Sequence, residues 1–339
     1  MQFPQTYCCH THPLFDVIMK NVLVTGVGGP AGRATVSFFK EREFRVIGTD
    51  IVQSVTPVDE FHIVPRGDDP AFIGTLVGLL SRTLPMLLVP TVSEELPAVS
   101  RLKRTVRDLG VQMFIPDPAA TDMANDKLLT ANKLRSLGIA VPLTFSCEEV
   151  TSPLDAGKAL GYPFLAKPRV GRGGRGVTVF RDPTEAAEEH RTDIVFQEFM
   201  PGEECDVNLF AHPAGYVRSV AVLQKTVMKE GIVGNGVHIQ RVIRRDVAEV
   251  AIVAARKLHL EGPIDMDIRR DRNGVPRILE INARVGANIL STVEVFETLL
   301  ATVMERANDG TYPPCTSASR EYLAARAATT FTPGSAAGS

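Results

Sequence analysis

Asp267, Glu280 and Asn282 are the residues of this sequence whose types and spacing point most directly to chemistry. The stretches 262–269 and 277–282 read as strands, and Asp271-Arg272-Asn273-Gly274 between them has the composition of a tight hairpin turn. Residues two apart on a strand share a face, so Glu280, Asn282 and Arg284 point one way and the hairpin brings Asp267 beside them. Two carboxylates and a carboxamide without His or Cys are hard oxygen donors, suited to Mg²⁺ bridging the phosphates of a nucleotide. The same residues would also serve as cross-strand charge pairs on an ordinary exposed hairpin.

Two glycine-rich segments offer phosphate-binding backbone. In Lys167-Pro168-Arg169-Val170-Gly171-Arg172-Gly173-Gly174-Arg175-Gly176 a strand delivers Lys167. Four glycines and three arginines follow, which suits a hairpin whose amides and guanidinium groups close over phosphates, or a solvated basic hairpin. No GKS or GKT follows the glycines, so this is not a Walker P-loop. The second segment, Gly26-Val27-Gly28-Gly29-Pro30-Ala31-Gly32 with an acid at Asp50, nearly reproduces a dinucleotide fingerprint. Glycines also permit a tight strand-to-helix turn in any doubly wound domain.

The elements that must hold these residues alternate. Strands at 21–25, 45–49, 61–64 and 86–89, with helices at 33–41, 72–80 and 96–109, imply a parallel sheet covered on both faces, over a domain of residues 19–118. A helix at 126–137 ends at Gly138 and bridges onward. Strands at 162–167, 177–180 and 195–198 follow, with a helix opened by Asp182-Pro183-Thr184-Glu185 and running to 190. A last block has strands at 207–211, 219–223, 262–269 and 277–282 and a helix at 246–259. Residues 1–18 read as a leader and 332–339 as a flexible tail.

With 339 residues, 44% of them hydrophobic, the chain has room for two or three cores. Lys+Arg 37 against Asp+Glu 39 leaves no global positive field for a nucleic-acid or acidic-lipid partner. The most apolar stretch, 71–89, is broken by Arg82 and Pro85 and is too short for a membrane span. No Lys or Arg precedes Lys20, so no secretory signal is read, and a cytoplasmic location is expected. Cys8, Cys9, Cys147, Cys205 and Cys315 form an odd, scattered set, which reads as reduced thiols. Cys8-Cys9-His10-Thr11-His12 has no second half in ligand spacing and is not expected to hold a metal.

Lys127 in NDKLLT, Lys167 with its glycine loop, Gln197-Glu198-Phe199-Met200-Pro201-Gly202-Glu203-Glu204, and Asp267 with Glu280-Ile281-Asn282-Ala283-Arg284 follow in the order and spacing of the ATP-grasp superfamily. From residue 19 to about 308 the chain resembles such proteins, including the nucleotide-fold domain that precedes their ATP-grasp module. The resemblance implies an α/β and α+β chain: a Rossmann-like parallel-sheet domain at 19–118, then a two-lobed module with lobe A at 119–195 and lobe B at 196–331. It implies ATP with Mg²⁺, or Mn²⁺ in its place. Lys127, Lys167, Gly173 and Gly174 would meet the phosphates, Gln197, Glu198 and Met200 the adenine, and Glu204 the ribose. Asp267, Glu280 and Asn282 would hold the metal, and Arg284 would neutralise the transferred phosphoryl group.

Lys225, Lys229 and His238 fall in a segment that forms a substrate loop in relatives; Lys225 is taken as catalytic. Gly28, Gly29, Glu94, His238 and Asp265 are taken as substrate-side residues. Asp265 stands where D-alanine ligases carry an arginine, which speaks against a D-alanine-like acceptor. The implied reaction activates a small-molecule carboxylate as an acyl-phosphate and joins it to an amine, releasing ADP and phosphate. Bicarbonate activation of the carboxylase or carbamoyl-phosphate type is the nearest rival. The run ARVGANI after Asn282 lacks the polar and acidic residues typical of biotin-dependent carboxylases. An NAD-dependent reductase and a non-catalytic nucleotide-binding protein are further alternatives. A homodimer is the expected assembly.

Overall fold

The structure, a computed structural model, describes residues 20–171, 174–185, 193–230 and 233–308. The leader 1–18 with its Cys and His residues, Gly173, the continuation of the helix from 186 to 190 and the tail 332–339 lie outside the described residues. Among the described residues no helix is long and apolar enough to cross a membrane.

Residues 20–113 form a parallel sheet. Its elements are β1 (Asn21–Thr25), α1 (Pro30–Lys40), β2 (Arg45–Asp50), β3 (Glu60–Ile63), α2 (Ala71–Thr83), β4 (Leu87–Val89), α3 (Leu96–Ser100), α4 (Lys103–Asp108) and β5 (Gln112–Met113). The strand order is β3-β2-β1-β4-β5. Every residue of β1 is buried, as a central parallel strand with helices on both faces requires. The glycine turn is a packing device: a Cβ on Gly32 would stand 2.1 Å from the Gly26 carbonyl oxygen, so only glycine lets α1 start so close to the strand. Pro30 at the first helical position needs no amide partner there.

The single helix expected at 96–109 is two. Leu102 N–H donates to the Val99 carbonyl in a tight three-residue turn, and the Ser100 hydroxyl donates to Pro97, which interrupts the α-helical ladder between α3 and α4.

α5 (Pro118–Asn125) and α6 (Lys127–Ser136) lead into β6 (Thr144–Ser146), α7 (Pro153–Leu160), β7 (Phe164–Pro168), β8 (Thr178–Phe180) and β9 (Ile194–Glu198). The four strands make an antiparallel sheet in the order β6-β9-β7-β8. Its core is small: Ala156, Phe164, Ala166, Phe180, Ile194 and Phe196, with Phe164 stacked on Phe180 at 4.9 Å. Ala124, Ala131, Leu134 and Val141, by contrast, pack into the large core shared with the rest of the chain. Asp182 closes a local turn with its side chain, while the helix expected to follow it lies outside the described residues. The Asp182 Oδ1 accepts from the Thr184 and Glu185 amides, while Glu185 accepts from Arg181 N–H.

The last block comprises β10 (Glu204–His212), β11 (Tyr216–Glu230), β12 (Val233–Val242), α8 (Arg245–Lys257), β13 (Gly262–Arg270), β14 (Pro276–Asn282), a 3-10 turn (Ile289–Thr292) and α9 (Glu294–Asn308). The antiparallel order is β12-β11-β10-β13-β14. Cys205, Val207, Leu209, Ile264, Met266, Ile268 and Ile281 share a buried core with Val247, Ala251, Ala254 and Ala255 of α8. α9 returns to the first sheet, where Phe296 stacks on Phe38 at 4.5 Å and Gln112 donates to the Val303 carbonyl at 2.8 Å. Parallel sheet, antiparallel sheets and flanking helices give the mixed α/β and α+β class that the sequence pattern implies.

Candidate functional site

The face of the five-stranded antiparallel sheet away from α8 is polar by strict alternation. On β10, Glu204, Asp206 and Asn208 are spaced by two; on β13 so are Asp265, Asp267 and Arg269. The register sets Glu204 opposite Arg269, Asp206 opposite Asp267 and Asn208 opposite Asp265. On the other side of β13, Glu280 faces Asp267 and Asn282 faces Asp265. A bulge between Asp267 and Ile268 makes Ile268 pair with Ile278, leaving Leu279 as the extra residue of β14. Ile278 and Ile281 can therefore both turn to the core while Glu280 between them stays on the polar face. The hairpin beneath is built as its residues demand: Asp271 accepts from the Asn273 and Val275 amides, and Gly274 takes a φ of 79°.

Lysines come to these acids from three elements. Asp126 caps α6 by accepting from the Leu128 and Leu129 amides, and its second oxygen accepts from Arg169 of the glycine hairpin. That cap fixes Lys127, whose Nζ donates to the Gly171 carbonyl at 2.9 Å and lies 3.1 Å from Glu280. Lys167, at the end of β7, is only 6% exposed. Burial and the neighbouring Lys127 charge push its pKa down to about 8, against the pull of Glu280, Asp267 and Glu204. Burial raises the carboxyl pKa of Glu280, and Lys127 with Lys167 overcomes that and holds it low.

From β11, Lys225 donates to Glu204 at 2.8 Å and to Asp267. Its burial disfavours the charge, but Asp267, Glu204 and Asp206 outweigh that and hold its pKa well above the ordinary lysine value. For Asp267 the balance goes the other way: burial, reinforced by Glu280 and Asp265, lifts its pKa in spite of Lys225.

At the other end Arg284 donates to Asp265 at 2.9 Å and to Ser93 Oγ at 3.3 Å, which ties the five-stranded antiparallel sheet to the loop after β4. Burial and Asp206 raise the Asp265 pKa far above its usual value. Asp206 in turn accepts from the Asn208 and Asn288 carboxamides.

Leu143 and Glu198 extend the β6–β9 ladder by one pair at the junction where the chain enters and leaves the small sheet. The Glu198 amide donates to the Leu143 carbonyl, and its carboxylate accepts from the Leu143 amide at 3.2 Å. Gln197 donates to Thr144 Oγ1, while its buried Oε1 has no hydrogen-bond partner; Met200 is buried beside this junction. Gly174 lies at the hairpin of the glycine loop with a φ of 72°.

Lys127, Lys167, Glu204, Lys225, Asp267, Glu280, Asn282, Asp265 and Arg284 thus gather on or around one sheet face. Gly28 and Gly29 do not join them. The Gly28 amide donates to Asp50 at 2.8 Å, so the acid of the apparent dinucleotide fingerprint closes on its own glycine turn. Glu94 is exposed on the loop after β4, and His238 is exposed on the edge strand β12. Sequence reasoning missed Asp206, Asn208 and Arg269. Arg269 contacts Glu204 at 3.4 Å, donates to the Gly202 carbonyl and lies over the Phe199 ring. The period-two alternation of β10 and β13 was the available signal.

Among the described residues no group of three His, Cys, Asp or Glu side chains is arranged to hold a metal by itself. The donor set here is two carboxylates and the Asn282 carboxamide. That set suits Mg²⁺, which commonly takes one or two carboxylates and completes its shell with water and substrate phosphates.

A family model described as an ATP-grasp domain matches residues 124–288. The carbamoyl phosphate synthase arginine-specific large chain of Lactiplantibacillus plantarum is 22% identical over 244 residues, 65% of this chain and 24% of that one. Phosphoribosylamine–glycine ligase of Streptomyces coelicolor is 29% identical over 163 residues, 46% of this chain and 36% of that one. The chain therefore spans well under half the length of these curated relatives. Among solved structures, the L-amino acid ligase from Bacillus licheniformis aligns with a TM-score of 0.61 at 16% identity, over 79% of this chain and 68% of that one. N5-carboxyaminoimidazole ribonucleotide synthetase from Thermotoga maritima aligns with a TM-score of 0.60 at 18% identity, over 84% and 76%. At these identities the likeness is one of fold. Residues 124–288 of this chain are an ATP-grasp domain, preceded by a Rossmann-like parallel-sheet domain.

Proposed function

We propose that the chain is an ATP-dependent ligase that activates a carboxylate as an acyl-phosphate and couples it to an amine, with ADP and phosphate as products. The observation that carries this reading is the pairing of Asp267 with Glu280 across one ladder, with Lys127, Lys167 and Lys225 around them and Arg284 at the adjoining end. Phosphoryl transfer needs cations around the γ-phosphate more than an acid or base, and this face holds cations without a histidine or cysteine. The names of the relatives, a phosphoribosylamine–glycine ligase and an L-amino acid ligase among them, agree with C–N bond formation.

In this reading Lys127 and Lys167 take the β- and γ-phosphates, with Gly174 and its neighbours closing over them. The junction of Gln197, Glu198 and Met200 receives the adenine and Glu204 the ribose. Asp267, Glu280 and Asn282 hold Mg²⁺, which supplies charge neutralisation at the phosphate oxygens. Arg284 faces the loop that carries Ser93 and Glu94, and orients the substrate carboxylate as its oxygen attacks the γ-phosphorus and the bond to ADP breaks. The amine then attacks the acyl carbon, loses its proton and expels phosphate. Asp265 lines that side. Gly28, Gly29 and Glu94 on the parallel-sheet side and His238 on the edge strand β12 are assigned to substrate handling, and a homodimer is the proposed assembly.

The test is a pairwise screen of carboxylates and amines for release of ADP and phosphate. Hydroxylamine with the right acid should trap the acyl-phosphate as a hydroxamate. Cleavage of ATP to AMP and pyrophosphate, or full turnover with bicarbonate alone, would sink the proposal.

A further inference from the structure

Each carboxylate assigned to the metal is held by a lysine. Glu280 lies 3.1 Å from Lys127, and Asp267 accepts from Lys225, whose side chain is only 5% exposed. Lys225 also holds Glu204, so one ammonium bridges the acid assigned to the ribose and an acid assigned to the metal. Across the face five acids, Glu204, Asp206, Asp265, Asp267 and Glu280, and five cations, Lys127, Lys167, Lys225, Arg269 and Arg284, are equal in formal charge, with ion pairs linking Lys127 to Glu280, Lys225 to Glu204 and Asp267, Arg269 to Glu204, and Arg284 to Asp265. A divalent ion alone would add two positive charges to a balanced, largely buried cluster, and a polyphosphate alone would add only negative ones. Together they largely cancel, and the phosphates offer the lysines new partners as the metal takes the acids.

We propose that Lys225 is a resident counter-ion that keeps divalent metal off Asp267 until nucleotide arrives, so that metal and nucleotide are admitted as a pair. The proposal rests on the assignment of Asp267 and Glu280 to the metal. Lys225 acts here as a positioning residue, through Asp267, and the property it controls is metal affinity in the absence of nucleotide.

The experiment uses the full chain freed of nucleotide and metal, with Mn²⁺ as the probe and bound Mn²⁺ read by electron paramagnetic resonance, with and without ADP. Lys225→Met alone would take from Asp267 the ammonium that pairs with it and leave the cluster one positive charge short. The variant is therefore the charge-balanced pair Lys225→Met with Glu204→Gln, with its melting curve checked. Without ADP, the unaltered chain should bind Mn²⁺ at least tenfold more weakly than the double variant. Lys225→Arg should restore the weak binding. Equal Mn²⁺ affinity of the unaltered chain and the double variant without ADP overturns the proposal. So does unaltered protein that binds Mn²⁺ as tightly without ADP as with it. If no form binds Mn²⁺ even with ADP, the metal assignment itself fails, and the proposal with it.

Discussion

The two halves of the site rest on foundations of very different size. Asp267, Glu280 and Asn282 stand on a sheet whose other face merges with a core running through α8, α6 and the parallel sheet. Lys167 stands on a four-stranded sheet whose core is essentially Phe164, Phe180 and Phe196 with a few small residues. In the proposed function the difference sets the acids assigned to the metal on the deep core and the lysine assigned to the phosphates on a lobe with little to hold it. Local stability scales with buried apolar contact, so the small lobe is the lower-stability unit.

The largest expected effect tests whether both halves are needed. Glu280→Gln and Lys167→Ala should each lower ADP release by about 100-fold or more, with the fold retained, as circular dichroism would check, because neither side chain is part of an apolar core. Near-normal turnover in both variants would show that the halves do not form one site.

Next comes the separation of the cores. Phe164→Ala should cost about 3–5 kcal/mol, confined to the small lobe. Limited proteolysis should then cut within residues 144–198 while the main melting transition stays in place. Phe296→Ala should cost a similar amount but move the main transition. If Phe164→Ala shifts the main transition equally, the two-core comparison is wrong.

The smallest effect is a pH test of the large body alone. Burial raises the Asp271 pKa, but Arg277 and the Val275 and Asn273 amides overcome this and leave it below the ordinary carboxylate value. A carboxylate whose folded pKa is depressed contributes stability that is present above its unfolded pKa and is lost as pH falls through the folded one. Asp271→Asn should cost about 1–2 kcal/mol at pH 7, and the gap to the unaltered protein should shrink on acidification below about pH 4. Melting curves at the two pH values check it. A gap that is constant or grows in acid would contradict the assignment.

Much of this arrangement was legible in advance because it follows period-two alternation and turn chemistry. The hairpin 262–282 brought Asp267 to Glu280 as its spacing requires, and Gly138, with a φ of 72°, follows the end of α6 as its type allows. What could not be read depends on register or on packing against distant chain. The bulge at Leu279 decides which side of β14 faces the core, yet nothing in the residue types of 276–282 announces it. Arg269 meets Glu204 only because β10 and β13 pair in that register. β5 and β6 have two and three residues, too few to show a period, and exist because their neighbours supply hydrogen bonds. Asp50 was read as one half of a dinucleotide motif, and its actual partner, the Gly28 amide, becomes visible only when β2 lies beside β1.

The stacking of Phe296 on Phe38 also sets an order of events on the ribosome. The apolar layer formed by Val22 and Val24 of β1 and Phe38 and Phe39 of α1 is sealed by α9, the last described element, and a Cβ on Gly262 would collide with the Phe114 carbonyl at 2.1 Å. The parallel-sheet domain is therefore completed only after the segments that follow it in the chain have been made. At about 5–20 residues per second, its aromatic face waits on the order of tens of seconds for residues 294–308 to emerge. Over that interval the nascent chain offers that face to whatever chaperone attends the exit tunnel, and a chain truncated before α9 keeps it exposed for good.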